Sequence, residues 1–218
     1  SLKKFGEMSF FISIEGFDGT GKSTQSKLLK NGLAKKNLDS IIVREPGSTN
    51  FSEKIRTIIS ENTEIEVMTE LLLFQTSRSE LVSKVIKPNL DQGKIVITDR
   101  YTDSSIAYQG YGGGIDIELI ENLNKISTYG LSPNLTFLLD MDVKDSLDRT
   151  FKRNSSENEQ IDKFENKDFD FHKKVKNGFN EILKKNENRI VKIDASEEIE
   201  LISKKILNIT LEKINEAV

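Results

Sequence analysis

The stretch FFISIEGFDGTGKST, Phe10 to Thr24, decides the fold. A short apolar run, Phe10 to Glu15, leads into GFDGTGKST, which fits G-x-x-x-x-G-K-[ST], and a helical pattern follows from Ser23. A strand that ends in a glycine loop and opens a helix turns successive backbone N–H groups, and the positive helix end, toward one point that suits a phosphate. Lys22 is placed to reach the outer phosphates of a nucleotide, and Ser23 to offer its hydroxyl to Mg²⁺. Gly16, Phe17, Asp18, Gly19, Thr20, Gly21, Lys22, Ser23 and Thr24 are therefore the candidate ATP-binding loop.

Four further apolar runs repeat the strand signal: Ser40 to Glu45, Lys94 to Asp99, Leu135 to Asp140 and Arg189 to Asp194. Helix-period stretches separate them: Ser23 to Lys36, Ser52 to Ser60, Met68 to Lys87, Ile115 to Thr128, Lys144 to Arg153 and Phe169 to Asn186, with Glu198 to Ala217 closing the chain. Strands alternating with helices predict an α/β fold, a five-stranded parallel sheet with helices on both faces, of the P-loop NTPase type. Pro88 and Gly93 bracket the expected end of the third helix. Asn154 to Lys167 is polar and has little to bury, so it reads as a mobile surface flap. We expect one domain over 8–218 carrying a short lid at about 149–167, with residues 1–7 as an extension of unclear origin and no signal peptide.

Composition narrows the function classes. The 218 residues hold 32 Lys and Arg against 35 Asp and Glu, a net charge of −3, so the basic excess of a nucleic-acid binder is missing. No apolar run is long enough for a membrane span, and the absence of cysteine removes thiol chemistry and favours a reducing cytoplasm. The expected partners are small molecules.

A phosphate loop alone does not choose among GTPases, ATPases and kinases. The nearest approach to a guanine-reading N-K-x-D is Asn166-Lys167-Asp168-Phe169, with the acid displaced by one residue, which argues against a GTPase. Asp99-Arg100-Tyr101 follows the third strand. Asp99 could hold the water shell of Mg²⁺ and Arg100 could clamp a second phosphate, although a structural Asp–Arg pair would look the same. Phe74 and Arg78, four residues apart, share a helix face on which a ring could stack on a base and a guanidinium donate to it; a core Phe with a surface Arg is the plain alternative. REPGST, Arg44 to Thr49, caps the second strand, and Arg56 follows in the next helix. Ser104, Ser105, Tyr108 and Gln109 lie within two helical turns of Arg100 and could orient a base and a sugar.

Taken together, EGFDGTGKST, REPGST, LLLFQTSR, DRYTDSSIAYQG, SPNLTFLLD and FDF resemble the thymidylate kinases, bacterial type, of the P-loop nucleoside monophosphate kinases, over nearly the whole chain from Met8. The resemblance implies Mg²⁺-dependent transfer of a phosphoryl group from ATP to dTMP, giving dTDP, by a homodimer. It implies that Asp18 approaches the acceptor 3'-hydroxyl and the metal, that Phe74 stacks on thymine and that Arg78 donates to a thymine carbonyl. Arg56 and Arg100 would hold the acceptor phosphate beside Glu45 and Pro46. Ser104, Ser105 and Gln109 would meet the base, and Tyr108 would crowd a 2'-hydroxyl.

The resemblance implies an essential arginine either in the phosphate loop or in the lid; Gly16–Thr24 contains none, so lid residues Arg149 and Arg153 are expected to meet the charge on the moving phosphoryl group, with Lys152 read as a solvated charge. Three departures from the family pattern stand out: Ser48 where a second glycine is usual, Lys163 where an arginine is usual, and a longer lid. The lone His172 is expected to be solvated and uninvolved. The competing readings are a kinase for another nucleoside monophosphate or a deoxynucleoside, and a non-catalytic ATP-sensing module.

Overall fold

The computed structural model describes residues 9–61, 64–157 and 167–217, leaving aside the side chains at 151 and 153–157. Five strands, β1 (Phe10–Gly16), β2 (Ser40–Arg44), β3 (Ile95–Asp99), β4 (Leu135–Asp140) and β5 (Ile190–Asp194), form a sheet in the order β2-β3-β1-β4-β5. Every pairing is parallel, with Ile12 opposite Ile97 on one side and Leu135 on the other. The chain runs from β1 to the edge strand β2, returns inward to β3 between them, then crosses β1 to β4 and β5 on the other side. The crevice where the order reverses therefore opens above the carboxyl end of β1, where open α/β sheets bind ligands.

All seven residues of β1 are buried, which explains why apolar residues dominate both of its faces up to Ile14. Its two faces differ. Phe10, Ile12 and Ile14 pack against Leu29 and Leu33 of α1 (Lys22–Ala34) and Ile202 and Ile206 of α9 (Ile199–Glu216). The opposite face carries Phe11 and then the buried polar residues Ser13 and Glu15. Ser13 shares a 2.6 Å hydrogen bond with Thr136 of β4, so a polar layer lies within the sheet below the crevice. That side is covered by α3 (Val67–Leu81) with its continuation, by α8 (Phe169–Lys185) and by a helical segment after β3.

Two helical segments differ from the periodicity reading. The third helix continues beyond α3 through a π-helical turn, Val82–Ile86, into α4 (Lys87–Asp91), so Pro88 lies inside it. The turn widens ahead of the proline, whose ring has no N–H to give and would crowd the carbonyl one turn back. After β3 the chain forms α5 (Thr102–Ser105) and a π-helical segment, Ile106–Gly112, where no regular apolar spacing marked a helix. The other helices are α2 (Asn50–Glu61), α6 (Ile117–Ser127) and α7 (Val143–Glu157).

Candidate active site

The phosphate loop leaves β1 through three glycines with positive φ, Gly16 at 136°, Gly19 at 80° and Gly21 at 89°. Gly19 is also required by space, because a Cβ there would lie 2.5 Å from the Ser146 carbonyl oxygen of α7. Inside the loop, Thr20 Oγ1 and Lys22 Nζ each donate to the Phe17 carbonyl at 2.7 Å, and Lys22 Nζ lies 3.5 Å from Asp18 Oδ1. Burial and the neighbouring Arg100 lower the Lys22 pKa, while Asp18, Asp99 and Glu15 work to raise it. The Phe17 ring is buried against Phe179, so this loop residue serves packing with its side chain and the loop with its carbonyl.

A cleft of about 570 Å³ opens beside the loop. Asp18, Gly19, Gly21, Lys22, Ser23, Thr24, Glu45, Pro46, Arg56, Phe74, Arg78, Asp99, Arg100, Ser104, Ser105, Tyr108 and Gln109 all line it. Sequence positions as far apart as 18 and 109 thus converge on one space. Lys27, Arg44, Ile59, Ser60 and Tyr101 also line it and were not singled out in the sequence.

Arg100 is the hinge between the two halves of the cleft. Its Nη2 donates to Asp18 Oδ1 at 2.6 Å and its Nη1 to the Gly16 carbonyl at 3.0 Å and to Ser104 Oγ at 3.1 Å. The guanidinium lies over the Tyr108 ring, 5.0 Å from its centroid. One side chain therefore ties the phosphate loop to the helical segment after β3. The backbone at Arg100 is left-handed, φ 68°, which an arginine adopts only when its surroundings hold it there.

Arg78 is 1% exposed and its donors are heavily committed. Nε reaches Glu45 Oε2 at 2.8 Å; Nη1 reaches Gln75 Oε1 and Asn124 Oδ1; Nη2 reaches the Tyr101 carbonyl and Ser105 Oγ. All five N–H groups have acceptors within the chain, so a ligand carbonyl would share a donor already in use. Burial pushes the Glu45 carboxyl up, while its pairing with Arg78 works to lower it. Gln109 Nε2 donates to Glu70 Oε1 at 2.9 Å, which fixes the amide and points to Glu70, unmarked in the sequence, as its support.

Arg56 Nη1 donates to the Pro46 carbonyl at 3.2 Å, joining α2 to the turn after β2. In that turn Ser48 has φ 69°, which accounts for the glycine usual there. Serine is accommodated because its Oγ accepts from the Arg44 amide at 2.8 Å, while its own amide donates to Glu53 Oε1 at 2.7 Å.

For a metal, Ser23 Oγ and Asp99 Oδ2 face each other at 2.7 Å at the start of α1. Both are hard oxygen donors, as Mg²⁺ requires, and they fit an ion that takes its other ligands from phosphate and water. Among the described residues no group of three or more His, Cys, Asp or Glu side chains gathers to hold a metal.

Two expectations fare differently. His172 is 4% exposed, not solvated: it packs edge-on against Phe171 with ring centroids 5.6 Å apart and near Phe17 at 6.3 Å. Burial lowers its pKa, since an imidazolium would lose its hydration there. Phe171 beside His172 and Phe17 across from it account for its burial. The Arg149 guanidinium is not among the groups lining the main cleft; Nη1 donates to the Ala195 carbonyl at 3.2 Å, beside a smaller cleft of about 260 Å³ with Met141, Lys152 and Ser196. Its stem is close to the loop, with Cβ 3.4 Å from where a Cβ on Gly19 would stand. The Arg153 side chain, Lys163, most of the flap and residues 1–8 lie outside the described residues.

Sequence reasoning passed over the supporting layer: Glu15, Gln75 and Asn124, which hold Ser104 and Arg78 from behind, and the Asp103–Arg189 pair near Glu15. The available signal was polarity where a strand should be apolar, as at Glu15 in FFISIE and Thr136 in LTFLLD.

Residues 14–206 match the thymidylate kinase family model. The thymidylate kinase of Prosthecochloris aestuarii is 42% identical over 201 residues, 90% of each chain, and that of an Exiguobacterium species is 41% identical over 208 residues, 94% of this chain and 96% of the relative. The crystal structure of thymidylate kinase from Ehrlichia chaffeensis superposes with a TM-score of 0.77 at 35% identity, covering 93% of this chain and 99% of that one. With the family model matched over most of its length, relatives aligned nearly end to end and the fold shared, this chain belongs to the thymidylate kinase family.

Proposed function

We propose that the chain phosphorylates dTMP to dTDP with ATP as donor, and that the two phosphates meet across Arg100. The observation that carries this assignment is the reach of that guanidinium from Asp18 and Gly16 of the phosphate loop to Ser104 and Tyr108 on the other side of the cleft. The amides of Gly16–Thr24 and the Lys22 ammonium hold the donor phosphates. Arg100 and Arg56 clamp the acceptor phosphate in line with them. Phe74 stacks on the thymine, Ser105 and Gln109 orient it, and Arg78 fixes the pocket floor and shares a donor with the base. Tyr108 walls the sugar side.

Mg²⁺, held by Ser23 with Asp99 acting through water and Asp18 nearby, would neutralise charge on the donor phosphates when bound. No general base is required, because the acceptor phosphate is already an anion. Lid residues Arg149 and Arg153 supply positive charge to the moving group; the proximity of the Arg149 stem to Gly19 supports this, with its guanidinium exchanging the Ala195 carbonyl for phosphate.

The working unit in this reading is a homodimer in the cytoplasm. Phe51 of α2, Met68 and Leu72 of α3, and Leu119 and Ile126 of α6 are between 40% and 71% exposed on three helices that pack side by side. Exposed apolar side chains on neighbouring helices suit a second copy of the chain. No helix among the described residues is long and apolar enough to cross a membrane.

A coupled assay with ATP against dTMP, dUMP, UMP, AMP, CMP and GMP tests the acceptor assignment. Preference for dTMP is expected, and preference for a purine monophosphate would overturn it.

A further inference from the structure

Glu15, the last side chain of β1 before the glycine loop, is 1% exposed and does not line the cleft, yet both its carboxylate oxygens are spent on the acceptor side. Oε1 accepts from the Tyr101 amide at 2.8 Å, and Oε2 accepts from Ser104 Oγ at 2.5 Å. A serine hydroxyl has one proton. With Glu15 ionised that proton goes to its carboxylate, so Ser104 can present only a lone pair to Arg100 Nη1, which donates to it at 3.1 Å. The Tyr101 amide is the first group after the left-handed Arg100. Together with Arg100 N to the Ile14 carbonyl at 3.0 Å and Thr98 Oγ1 to the Arg100 carbonyl at 2.8 Å, it pins that turn from beneath.

We infer that Glu15 is the positioning residue of the acceptor-phosphate arginine, fixing the Arg100 turn through the Tyr101 amide and aiming its guanidinium through Ser104. The inference rests on the reading of Arg100 as the phosphate clamp. Asp18 already balances the charge of Arg100 at 2.6 Å, so Glu15 contributes direction more than neutralisation. The other anion near Glu15 is Asp103, which Arg189 holds by two bonds at 2.8 and 3.0 Å. Lys22 lies on the loop side. Burial and the proximity of Asp103 push the Glu15 carboxyl up to about 7, while Ser104, Arg100 and the Tyr101 amide pull against them. Glutamine keeps the size of this side chain and one oxygen, but replaces the other with a donor.

The test is steady-state kinetics of the full chain carrying Glu15→Gln. The expected result is a KM for dTMP raised about tenfold or more, the scale of one lost hydrogen bond to a charged group, with the KM for ATP within about twofold of the parent. A purely structural Glu15 would lower the active fraction and leave both KM values in place, and that outcome, or equal movement of both, overturns the inference. If Glu15→Gln gives no cooperative melt, Ser104→Ala interrupts the same link with Glu15 intact; an unchanged KM for dTMP there is equally fatal. NMR of the Arg100 Nη protons gives a readout independent of turnover. Distinct, slowly exchanging resonances in the parent that average in Glu15→Gln support the inference, and identical spectra reject it. Should the parent chain consume no dTMP, the phosphate-clamp reading fails by itself and the spectra alone judge the positioning of Arg100.

Discussion

In the proposed reading, the groups offered to anions on the phosphate-loop side of the cleft are main-chain amides shaped by Gly16, Gly19 and Gly21, and on the acceptor side they are guanidinium forks gripped by carboxylates, amides and hydroxyls. The first arrangement depends on atoms that are absent, since an added Cβ on Gly19 would meet the Ser146 carbonyl. The second depends on atoms that are present, since Arg78 is buried with Glu45 3% exposed beside it, and neither charge is tolerable alone. Donor binding should therefore fail through added bulk, and acceptor binding through lost partners.

Substitutions can break or sharpen that contrast. The largest effects are expected at the charges on the reacting phosphates: Arg100→Ala should lower kcat/KM for dTMP by about 10³-fold, and Arg153→Ala should slow single turnover by a similar factor, on the scale of arginine fingers. A near-normal single-turnover rate in Arg153→Ala would remove that residue from the chemistry. Next, Glu45→Ala leaves the Arg78 cation buried without its carboxylate and should cost about 3–5 kcal/mol in denaturant unfolding. A loss below about 1 kcal/mol would mean that Gln75, Asn124 and Ser105 suffice to hold the fork.

The third effect is one of pH. Burial and Asp103 push the Glu15 carboxyl up to about 7 in the folded chain, from an ordinary value near 4.5. Between those values the folded state binds more protons, so this group makes stability fall as pH rises and contributes no further slope above about 7. The span corresponds to a loss on the order of 3 kcal/mol, and Glu15→Gln should flatten it in melts taken across that window. His172 acts in the opposite sense: its pKa is lowered by burial, so the unfolded chain takes up the proton first and stability rises with pH toward the ordinary histidine range. Subtracting the Glu15→Gln profile from the parent profile leaves the carboxyl's share. The smallest effect, about 2 kcal/mol of stability, is expected for Gly19→Ala, but with ATP affinity falling further than dTMP affinity; equal losses would contradict the contrast.

The sheet was legible because its inner strands β1, β3 and β4 are buried on both faces and so are mostly apolar, with shorter apolar runs marking β2 and β5, and the loop was legible because three glycines and a lysine at fixed spacing have few other uses. The lining residues of the acceptor pocket came from motif and resemblance, and the cleft gathers them. What the sequence hid is less local. Arg78 and Asn124 are 46 residues apart and Glu15 and Ser104 are 89 apart, and no periodicity encodes such pairs. His172 misled because a lone histidine in a charged stretch looks solvated until Phe17 and Phe171 are seen to enclose it. The segment after Thr102 was missed as a helix because its inward face mixes Ala107 and Tyr108 with Ser104, Ser105 and Gln109, whose buried hydroxyls and amide interrupt any apolar stripe.

That same segment has a consequence for how relatives could diverge. The wide turn Ile106–Gly112 accommodates one more residue than an α-helical turn would, and it carries Tyr108 and Gln109 on its inner side. Deleting a single residue there would rewind the coil and swing these two side chains through about 100°, the increment of one helical residue. Substrate choice could thus be retuned by changing the length of the chain, with every contacting amino acid left the same.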